Sequence, residues 1–352
     1  MIYILLSAGT ALVLALVLTP LAIRMLRRRG LGQYIREDGP KAHFVKSGTP
    51  TMGGVVIVGV TVLGYLAAHL RPGGMGQFTS SGLLAVGVIV ALSFLGFIDD
   101  YLKISRRRSL GLNKTAKFLG QLVVALAFGY LATALDTQAR REISFTRPLE
   151  IDLGVFFLVW VFLIVSSASN GVNFSDGLDG LASGSASVVM GAYVVIAFWQ
   201  FRHNCAVLPA DGCYTNAGDS LDLAILAAAL LGATAGFLWW NAAPAKIFMG
   251  DTGSLALGGA MAVLAVLTNT HLLLIVLGGL YVVEVTSVLL QVISFRIFGR
   301  RIFLMAPIHH HFELRGWPEF TVIVRFWILS GFAVALGLGL FYADFIRQGG
   351  LE

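Results

Sequence analysis

The chain has 352 residues, of which 57% are hydrophobic and 12% charged, and its mean hydropathy is +0.82. A soluble domain carries about a quarter charged residues, so the composition excludes a soluble globular enzyme. The high apolar fraction also excludes a disordered or collagen-like chain. One membrane-spanning helix needs about 20 apolar residues. We therefore predict an all-α integral membrane protein of about ten transmembrane helices, in a single domain over residues 1–352.

Apolar runs predict where these helices lie. The first run has no basic segment before it, so we interpret it as a span and not as a signal peptide. The ten predicted spans are 2–23, 53–70, 82–98, 116–135, 153–169, 182–201, 221–240, 255–268, 271–294 and 321–343.

Positive charge predicts the orientation. The loops on one side, beginning with residues 24–52, hold 17 lysine and arginine residues, and the opposite loops and tails hold six. Positive charge retards the translocation of short loops, so we expect the basic side in the cytoplasm and both termini in the periplasm. The basic cluster Arg106–Arg108 is typical of an orientation and anionic-lipid signal, and we expect no nucleic-acid partner.

The only two cysteines are Cys205 and Cys213, so a metal site must use oxygen or imidazole ligands. They lie eight residues apart in a loop on the expected outer, oxidising side. We hypothesise that they form a disulfide.

Two adjacent carboxylates, Asp99 and Asp100, follow the apolar run that ends at Ile98. The macrodipole already places negative charge at this end of a helix. Adjacent carboxylates repel each other there unless a cation is bound or one is protonated. This pattern favours metal or acid–base chemistry; a solvated interfacial pair is the alternative.

A second polar motif runs from Asn170 to Gly180 with polar residues spaced three apart. Asn170, Asn173, Asp176 and Asp179 drift by about 60° per step on an α-helix, so they cannot all converge without a 3₁₀ turn or a loop. Glycines in the motif, such as Gly177, favour irregular backbone. Such backbone at a membrane is tolerated where it is buried in protein or lines a wet cavity. A ligand cleft is favoured over a polar turn.

Two further motifs lie on the same expected side. Asp251, in the sequence Asp-Thr-Gly-Ser, precedes an apolar run, so the simplest role for Asp251, Thr252 or Ser254 is to cap a helix, whose N-terminus also attracts phosphate.

His309, His310 and His311 are consecutive, a poor spacing for a zinc site. A phosphate or a metal-bound diphosphate is the favoured partner, and a merely interfacial cluster is the alternative. Carboxylates at a phosphate site suit Mg²⁺ better than Zn²⁺.

Glu284 lies deep in a predicted span, where a charge must face protein or water. Its role, functional or structural, stays open.

Five motifs in order resemble the phospho-N-acetylmuramoyl-pentapeptide transferases, within the polyprenyl-phosphate N-acetylhexosamine-1-phosphate transferases of bacterial cell-wall synthesis. They are Lys46–Gly54, Asp99–Lys103, Asn170–Gly180, Phe248–Ser254 and Ala306–Glu313. The resemblance covers essentially the whole chain, and the family has ten spans and outward termini.

The resemblance implies transfer of phospho-MurNAc-pentapeptide from UDP-MurNAc-pentapeptide to undecaprenyl phosphate, giving lipid I and UMP. This is the first membrane step of peptidoglycan synthesis. The resemblance also implies Mg²⁺, surrounding membrane lipids, a homodimer, and a bacterial inner-membrane location with the active site facing the cytoplasm.

The resemblance also implies residue roles. Asp251 would ligate magnesium, Asp99 and Asp100 would be the catalytic pair, and Phe248 would stack on uracil. His309, His310 and His311 would act in catalysis on the phosphates and the sugar–peptide end. The implied substrate-binding residues are Lys46, Thr51, Lys103, Lys114, Asn170, Asn173, Asp176, Gly177, Asp179, Asn241 and Phe248.

Several alternatives stay open. Two mechanisms are possible: the polyprenyl phosphate attacks the sugar-bearing phosphate directly, or a phospho-aspartate forms first at Asp99 or Asp100. We prefer the direct attack, because the polyprenyl phosphate is already an anion. A relative that transfers GlcNAc-1-phosphate is the second candidate. A secondary transporter is disfavoured, because the polar motifs lie at one membrane face and no repeat is visible.

Overall fold

The computed structural model describes residues 1–30, 32, 46, 48–70, 78–106 and 110–350, which form twelve α-helices and one β-hairpin. Arg107 and Arg108 of the basic cluster lie outside these residues. The helices are α1 (Ile2–Arg28), α2 (Gly54–Leu70), α3 (Ser80–Ser105), α4 (Lys114–Ala134), α5 (Phe157–Ser175), α6 (Leu181–Arg202), α7 (Ser220–Asn241), α8 (Gly250–Leu267), α9 (Leu273–Leu277), α10 (Gly279–Phe298), α11 (Ile308–Leu314) and α12 (Glu319–Arg347). Strands β1 (Glu142–Ser144) and β2 (Pro148–Asp152) pair antiparallel.

The helices confirm the predicted class, an all-α integral membrane protein. Among the described residues, nine helices are long and apolar enough to cross a membrane. The predicted span 53–70 forms α2, which is also apolar but has 17 residues. The hairpin β1–β2 was not predicted, because strands of three and five residues leave no periodic signal.

Several helices differ from the predicted spans. Helix α3 continues seven residues beyond the predicted end at 98, so Asp99 and Asp100 lie within it and not after it. The predicted span 271–294 is two helices, because the backbone at Gly278 leaves the helical conformation between α9 and α10. A Cβ at Gly278 would lie 2.9 Å from the carbonyl oxygen of Leu274, so glycine permits this break. The predicted span 255–268 begins five residues earlier, at Gly250, so the Asp-Thr-Gly-Ser motif is itself helical.

Helix α8 is the centre of the bundle. Every residue from Thr252 to Leu267 is buried, and α3 and α5 pack against it. Helices in lipid associate by close packing of small residues, because hydrocarbon is as apolar as leucine. Accordingly, a Cβ at Gly54 of α2 would lie 2.0 Å from the backbone nitrogen of Gly253, and one at Gly96 of α3 would lie 2.2 Å from the carbonyl oxygen of Asp251.

Polar contacts hold one end of the bundle together. Asp222 of α7 is fully buried and accepts hydrogen bonds from Tyr65 of α2 and from Thr79, which caps α3. The predicted disulfide between Cys205 and Cys213 is confirmed. All of these residues lie at the end of the bundle where α7 begins.

Both chain ends lie at this same end. Ser7 of α1 donates to the carbonyl oxygen of Ile225, near the start of α7. Asp344 of α12 pairs with Arg147, which also donates to the carbonyl oxygen of Cys213. Because α3 starts at this end and is 26 residues long, Asp99 and Asp100 lie at the opposite end, far from the termini.

The contact between Gly54 and Gly253 generates a stability prediction. We expect Gly54→Ala to lower the free energy of unfolding by about 1 to 3 kcal/mol, because the new methyl group meets rigid backbone. Gly59→Ala on the same helix is the matched control, since a Cβ there meets nothing within 4 Å. Thermal unfolding in detergent measures both, and equal midpoints for the two variants would contradict the packing argument.

Candidate active site

The site begins where α3 meets the first turn of α8. The carboxylate of Asp100 accepts hydrogen bonds from the backbone nitrogens of Asp251 (3.1 Å) and Thr252 (2.9 Å) and from the Thr252 hydroxyl (2.7 Å). The N-cap residue of α8, Met249, makes no side-chain cap. The prediction that Asp251, Thr252 or Ser254 caps this helix is therefore wrong, because Asp100 of another helix satisfies its first N–H groups.

Three carboxylates converge there. Oxygen atoms of Asp99, Asp100 and Asp251 all lie within 4.8 Å of one another, and Asp99 and Asp100 are only 3% exposed. The backbone nitrogen of Leu112 donates to Oδ1 of Asp99 and so folds the α3–α4 connection onto the cluster. Carboxylate oxygens grouped in this way form a donor set for a hard divalent cation.

Two lysines balance the carboxylates. Nζ of Lys103 lies 2.6 Å from Asp99 and 3.1 Å from Asp251, and Nζ of Lys117 lies 2.6 Å from the other oxygen of Asp251. Lys114 was predicted to bind substrate, and Lys117 was not. Lys114 is exposed at the first residue of α4, and Lys117 is one turn further along. A lysine just inside a predicted span was the signal that could have identified it.

The polar residues of the Asn170–Gly180 motif do not all converge, because Asn170 and Asn173 lie within α5 and the predicted irregular backbone begins only after Ser175. Nδ2 of Asn173 donates to Asp251 and to Ser254, both at 2.8 Å, whereas Asn170 points to Gln121 of α4. Helix α5 ends at Ser175, so the next two aspartates follow in a turn. The structure thus brings Asn173 into the carboxylate cluster and leaves Asn170 beside it.

Asp176 lies in that turn and faces the cluster. Burial raises its pKa well above the usual range, and the nearby negative charges of Asp251 and Asp100 raise the pKa further. Asp176 is therefore protonated at a higher pH than an exposed aspartate.

A second polar group joins this turn to the α7–α8 loop and to the start of α12. Asp179 accepts from Nζ of Lys46 (2.7 Å) and from the backbone nitrogen of Ala245 (2.9 Å). Lys46 also donates to Glu319 at the start of α12 (2.5 Å), and the backbone nitrogen of Asp179 donates to the same oxygen. Glu319 was not predicted as a site residue, because it lies outside the five motifs.

The loop from α7 to α8 lies beside this group and is held by hydrogen bonds of its own. Asn241 accepts from Ser183 and donates to the carbonyl oxygen of Ile247, so its side-chain oxygen and nitrogen both hold the loop. The backbone nitrogen of Phe248 donates to Pro50, and the backbone of Phe248 accepts from Gly53. Thr51 is buried, and its hydroxyl is 2.9 Å from the Cβ position at Gly250.

The three histidines of α11 point in different directions, as their spacing predicts. Nδ1 of His309 lies 3.0 Å from Glu284, His310 pairs with Glu313, and His311 accepts from the backbone of Leu304. His309 and Glu284 are both fully buried. A Cβ at Gly177 would lie 2.6 Å from Nε2 of His309, so the histidine borders the same turn as Asp176.

The comparisons with known proteins show the family of the chain. Residues 82–269 match the family model described as glycosyl transferase family 4, and residues 46–58 match phospho-N-acetylmuramoyl-pentapeptide-transferase signature 1. A phospho-N-acetylmuramoyl-pentapeptide-transferase of Frankia alni is 55% identical, over 98% of this chain and 99% of the relative. The chain belongs to the phospho-N-acetylmuramoyl-pentapeptide-transferase family. Transferases of that name from Rhodococcus opacus and Mycolicibacterium smegmatis are 52% and 51% identical, over 97% and 99% of this chain and 98% and 100% of the relatives.

For a member of this transferase family, the contact of Glu284 with His309 explains the acidic residue deep in the predicted span. Nδ1 of His309 is the ring nitrogen that faces Oε1 of Glu284. Nε2 then faces the turn at Gly177.

The buried contact of Glu284 generates a second prediction. We expect Glu284→Ala to lower the free energy of unfolding of the transferase by about 1 to 3 kcal/mol, because the buried ring nitrogen of His309 loses its partner. Glu284→Gln retains an acceptor oxygen and is the matched control with a smaller loss. Thermal unfolding compares them, and a wild-type midpoint in Glu284→Ala would show that the contact contributes nothing.

Proposed function

We propose that this protein transfers phospho-MurNAc-pentapeptide from UDP-MurNAc-pentapeptide to undecaprenyl phosphate. An oxygen of the polyprenyl phosphate bonds to the phosphorus that carries the sugar, the bond from that phosphorus to UMP breaks, and lipid I and UMP are the products. The observation that carries the proposal is the buried cluster of Asp99, Asp100 and Asp251 flanked by two lysines, in a chain of this transferase family.

Asp251 holds Mg²⁺ in this proposal, with Asp99 and Asp100 beside it. The fit rests on the donor set, because three carboxylates within 4.8 Å offer the oxygen ligands that Mg²⁺ prefers. When bound, Mg²⁺ neutralises charge on the diphosphate. Nδ2 of Asn173, at 2.8 Å, fixes the orientation of the Asp251 carboxylate.

The two adjacent aspartates have different roles in this proposal. Both oxygens of Asp100 accept from the first turn of α8, so Asp100 holds that turn in place. One oxygen of Asp99 accepts from the Leu112 backbone, and the other forms an ion pair with Lys103. This ion pair can exchange partners as substrate binds. Phosphoryl transfer depends mainly on positioning and charge neutralisation, so direct attack by the polyprenyl phosphate needs no covalent aspartyl intermediate.

Cationic side chains receive the phosphates. Lys103 and Lys117 already lie against the carboxylates, and a substrate diphosphate at the cluster would meet both ammonium groups. Lys46 and Asp179 border the nucleotide, Phe248 stacks on its base, and His309–His311 contact the sugar–peptide end. Lys114 is a further phosphate ligand at the open edge, where it is exposed.

An apolar cavity supports a lipid substrate. It has a volume of about 330 Å³ and is lined by apolar residues of α5, α9 and α10, among them Leu163, Ile275 and Val282. Tyr281, which also lines it, packs against Gly171, two residues before Asn173. A polyprenyl chain in this cavity would have its phosphate near the carboxylate cluster.

The site lies at the cytoplasmic face of the bacterial inner membrane in this proposal. Arg27 and Arg28 end α1 and Lys103 lies near the end of α3, so positive charge collects at the end that carries the cluster. Short loops rich in lysine and arginine stay in the cytoplasm. Both termini are then periplasmic, and the protein is a homodimer.

The test is UMP release by the detergent-solubilised protein with UDP-MurNAc-pentapeptide, undecaprenyl phosphate and Mg²⁺, omitting each in turn. We expect release only when all three are present. Release with UDP-GlcNAc and not with the muramoyl donor would identify a GlcNAc-1-phosphate transferase instead.

The metal assignment generates a third prediction. We expect Asp251→Asn to reduce UMP release at least about 100-fold, because the amide has lost the charge that holds Mg²⁺. Asp211→Asn is the matched control, since Asp211 is exposed at the other end of the bundle. Mg²⁺-dependent release near the wild-type rate in a folded Asp251→Asn would refute the assignment.

The different contacts of the two adjacent aspartates generate a fourth prediction. We expect Asp100→Ala to lower the free energy of unfolding by about 0.5 to 2 kcal/mol through loss of the α8 cap, in addition to losing activity. Asp99→Ala should lose activity with a smaller change in stability. Unfolding midpoints and UMP release together distinguish them; equal midpoint losses would mean that Asp100 has no special positioning role.

A further inference from the structure

The second half of α10 leaves the bundle. Beyond Ser287, Ser294 is its only buried residue among those that the structure describes in this helix. The chain then folds back: Gln291 accepts from the backbone nitrogens of Ile302 and Phe303, and Ser294 donates to the carbonyl oxygen of Arg300. We call residues 288–304, which comprise the end of α10 and the segment that folds back onto it, the α10 arm.

The arm reaches well beyond the active site. Glu284 marks the level of His309, and α10 continues for 14 residues after it, from Val285 to Phe298. At 1.5 Å per residue this is about 21 Å of helix. The arm tip therefore lies far from the carboxylate cluster, and the arm meets the histidines of α11 only where its returning segment ends, at the contact of Leu304 with His311.

The arm exposes apolar side chains on all sides. Val292, Ile293 and Phe295 point in three directions around the helix and are each 44% to 56% exposed. Phe298 and Ile302 at the tip are also exposed. Exposed apolar surface of this extent is not stable in water, and it marks an interaction surface.

Three arginines lie at the tip. Arg296, Arg300 and Arg301 are exposed, and the sequence from residue 285 to residue 312 contains no aspartate or glutamate. Among the described residues, no ion pair involves these three guanidinium groups. A cluster of cations within an apolar, lipid-facing element is complementary to the negative phosphates at the bilayer surface.

We propose that the α10 arm is a binding surface for anionic phospholipid headgroups. The apolar residues lie among the acyl chains, and the arginines bind the headgroup phosphates through paired N–H donors. The three arginines are separate from the carboxylate cluster, and their binding to headgroups does not depend on the transfer reaction.

The experiment is a titration of the full-length, detergent-solubilised protein with phosphatidylglycerol labelled on its acyl chain, followed by fluorescence anisotropy. We expect the triple variant R296Q/R300Q/R301Q to weaken binding by about 100-fold, since each arginine near an anionic surface contributes roughly a factor of five. Added salt should weaken wild-type binding. Phosphatidylcholine with the same label has no net charge and serves as a second probe. It should bind to the wild type no better than phosphatidylglycerol binds to the triple variant.

The matched control is R24Q/R27Q/R28Q, which removes three exposed arginines from α1 on the same side of the membrane. It should retain wild-type affinity for phosphatidylglycerol. Unfolding midpoints and UMP release confirm that both variants are folded. Wild-type affinity in the arm variant, or an equal loss in the α1 variant, would overturn the proposal. Displacement of the lipid by millimolar inorganic phosphate would also overturn it, because the surface would then be a free-anion site.

Discussion

The capping of α8 by Asp100 is the interaction on which the rest of the site depends. A helix that starts inside an apolar bundle leaves backbone N–H groups that need acceptors. Met249 provides no side-chain cap, and Asp100 of α3 provides two carboxylate oxygens instead. For this contact α3 must approach α8 closely, which the missing side chain of Gly96 permits. The same approach brings Asp99 and Lys103 to Asp251.

Close packing of small residues explains why the cluster is at one end of the bundle. Helix α8 is buried from Thr252 to Leu267, and its polar side chains lie only in its first turn, where they meet other polar groups. There the ends of α3 and α5 and the start of α4 surround it, and they supply Asp100, Asn173 and Lys117. The apolar packing along α8 therefore concentrates the charged groups at a single position.

The two ends of the molecule differ in what holds them. At the end that carries the termini, a disulfide, a buried Asp222 and the Arg147 contacts tie the loops to the helices. At the site end, ion pairs between lysines and carboxylates provide many of the contacts, and these are groups that can exchange partners for a substrate phosphate. The α10 arm extends from the site end, and the backbone nitrogen of Leu304 at its end donates to His311.

The sequence by itself determined the membrane class, the apolar helices and the end at which the polar motifs lie, because hydropathy and charge act locally along the chain. Helical geometry also predicted that Asn170, Asn173, Asp176 and Asp179 cannot all converge on a regular α-helix and that three adjacent histidines make a poor zinc site. Only the tertiary structure decided that Asn173 and not Asn170 meets Asp251, and that Lys117 lies on the same carboxylate. It alone showed that Asp100 caps α8 and that Glu284 faces His309. These contacts depend on how each helix is rotated and how closely it packs, and small residues far away in the chain set both.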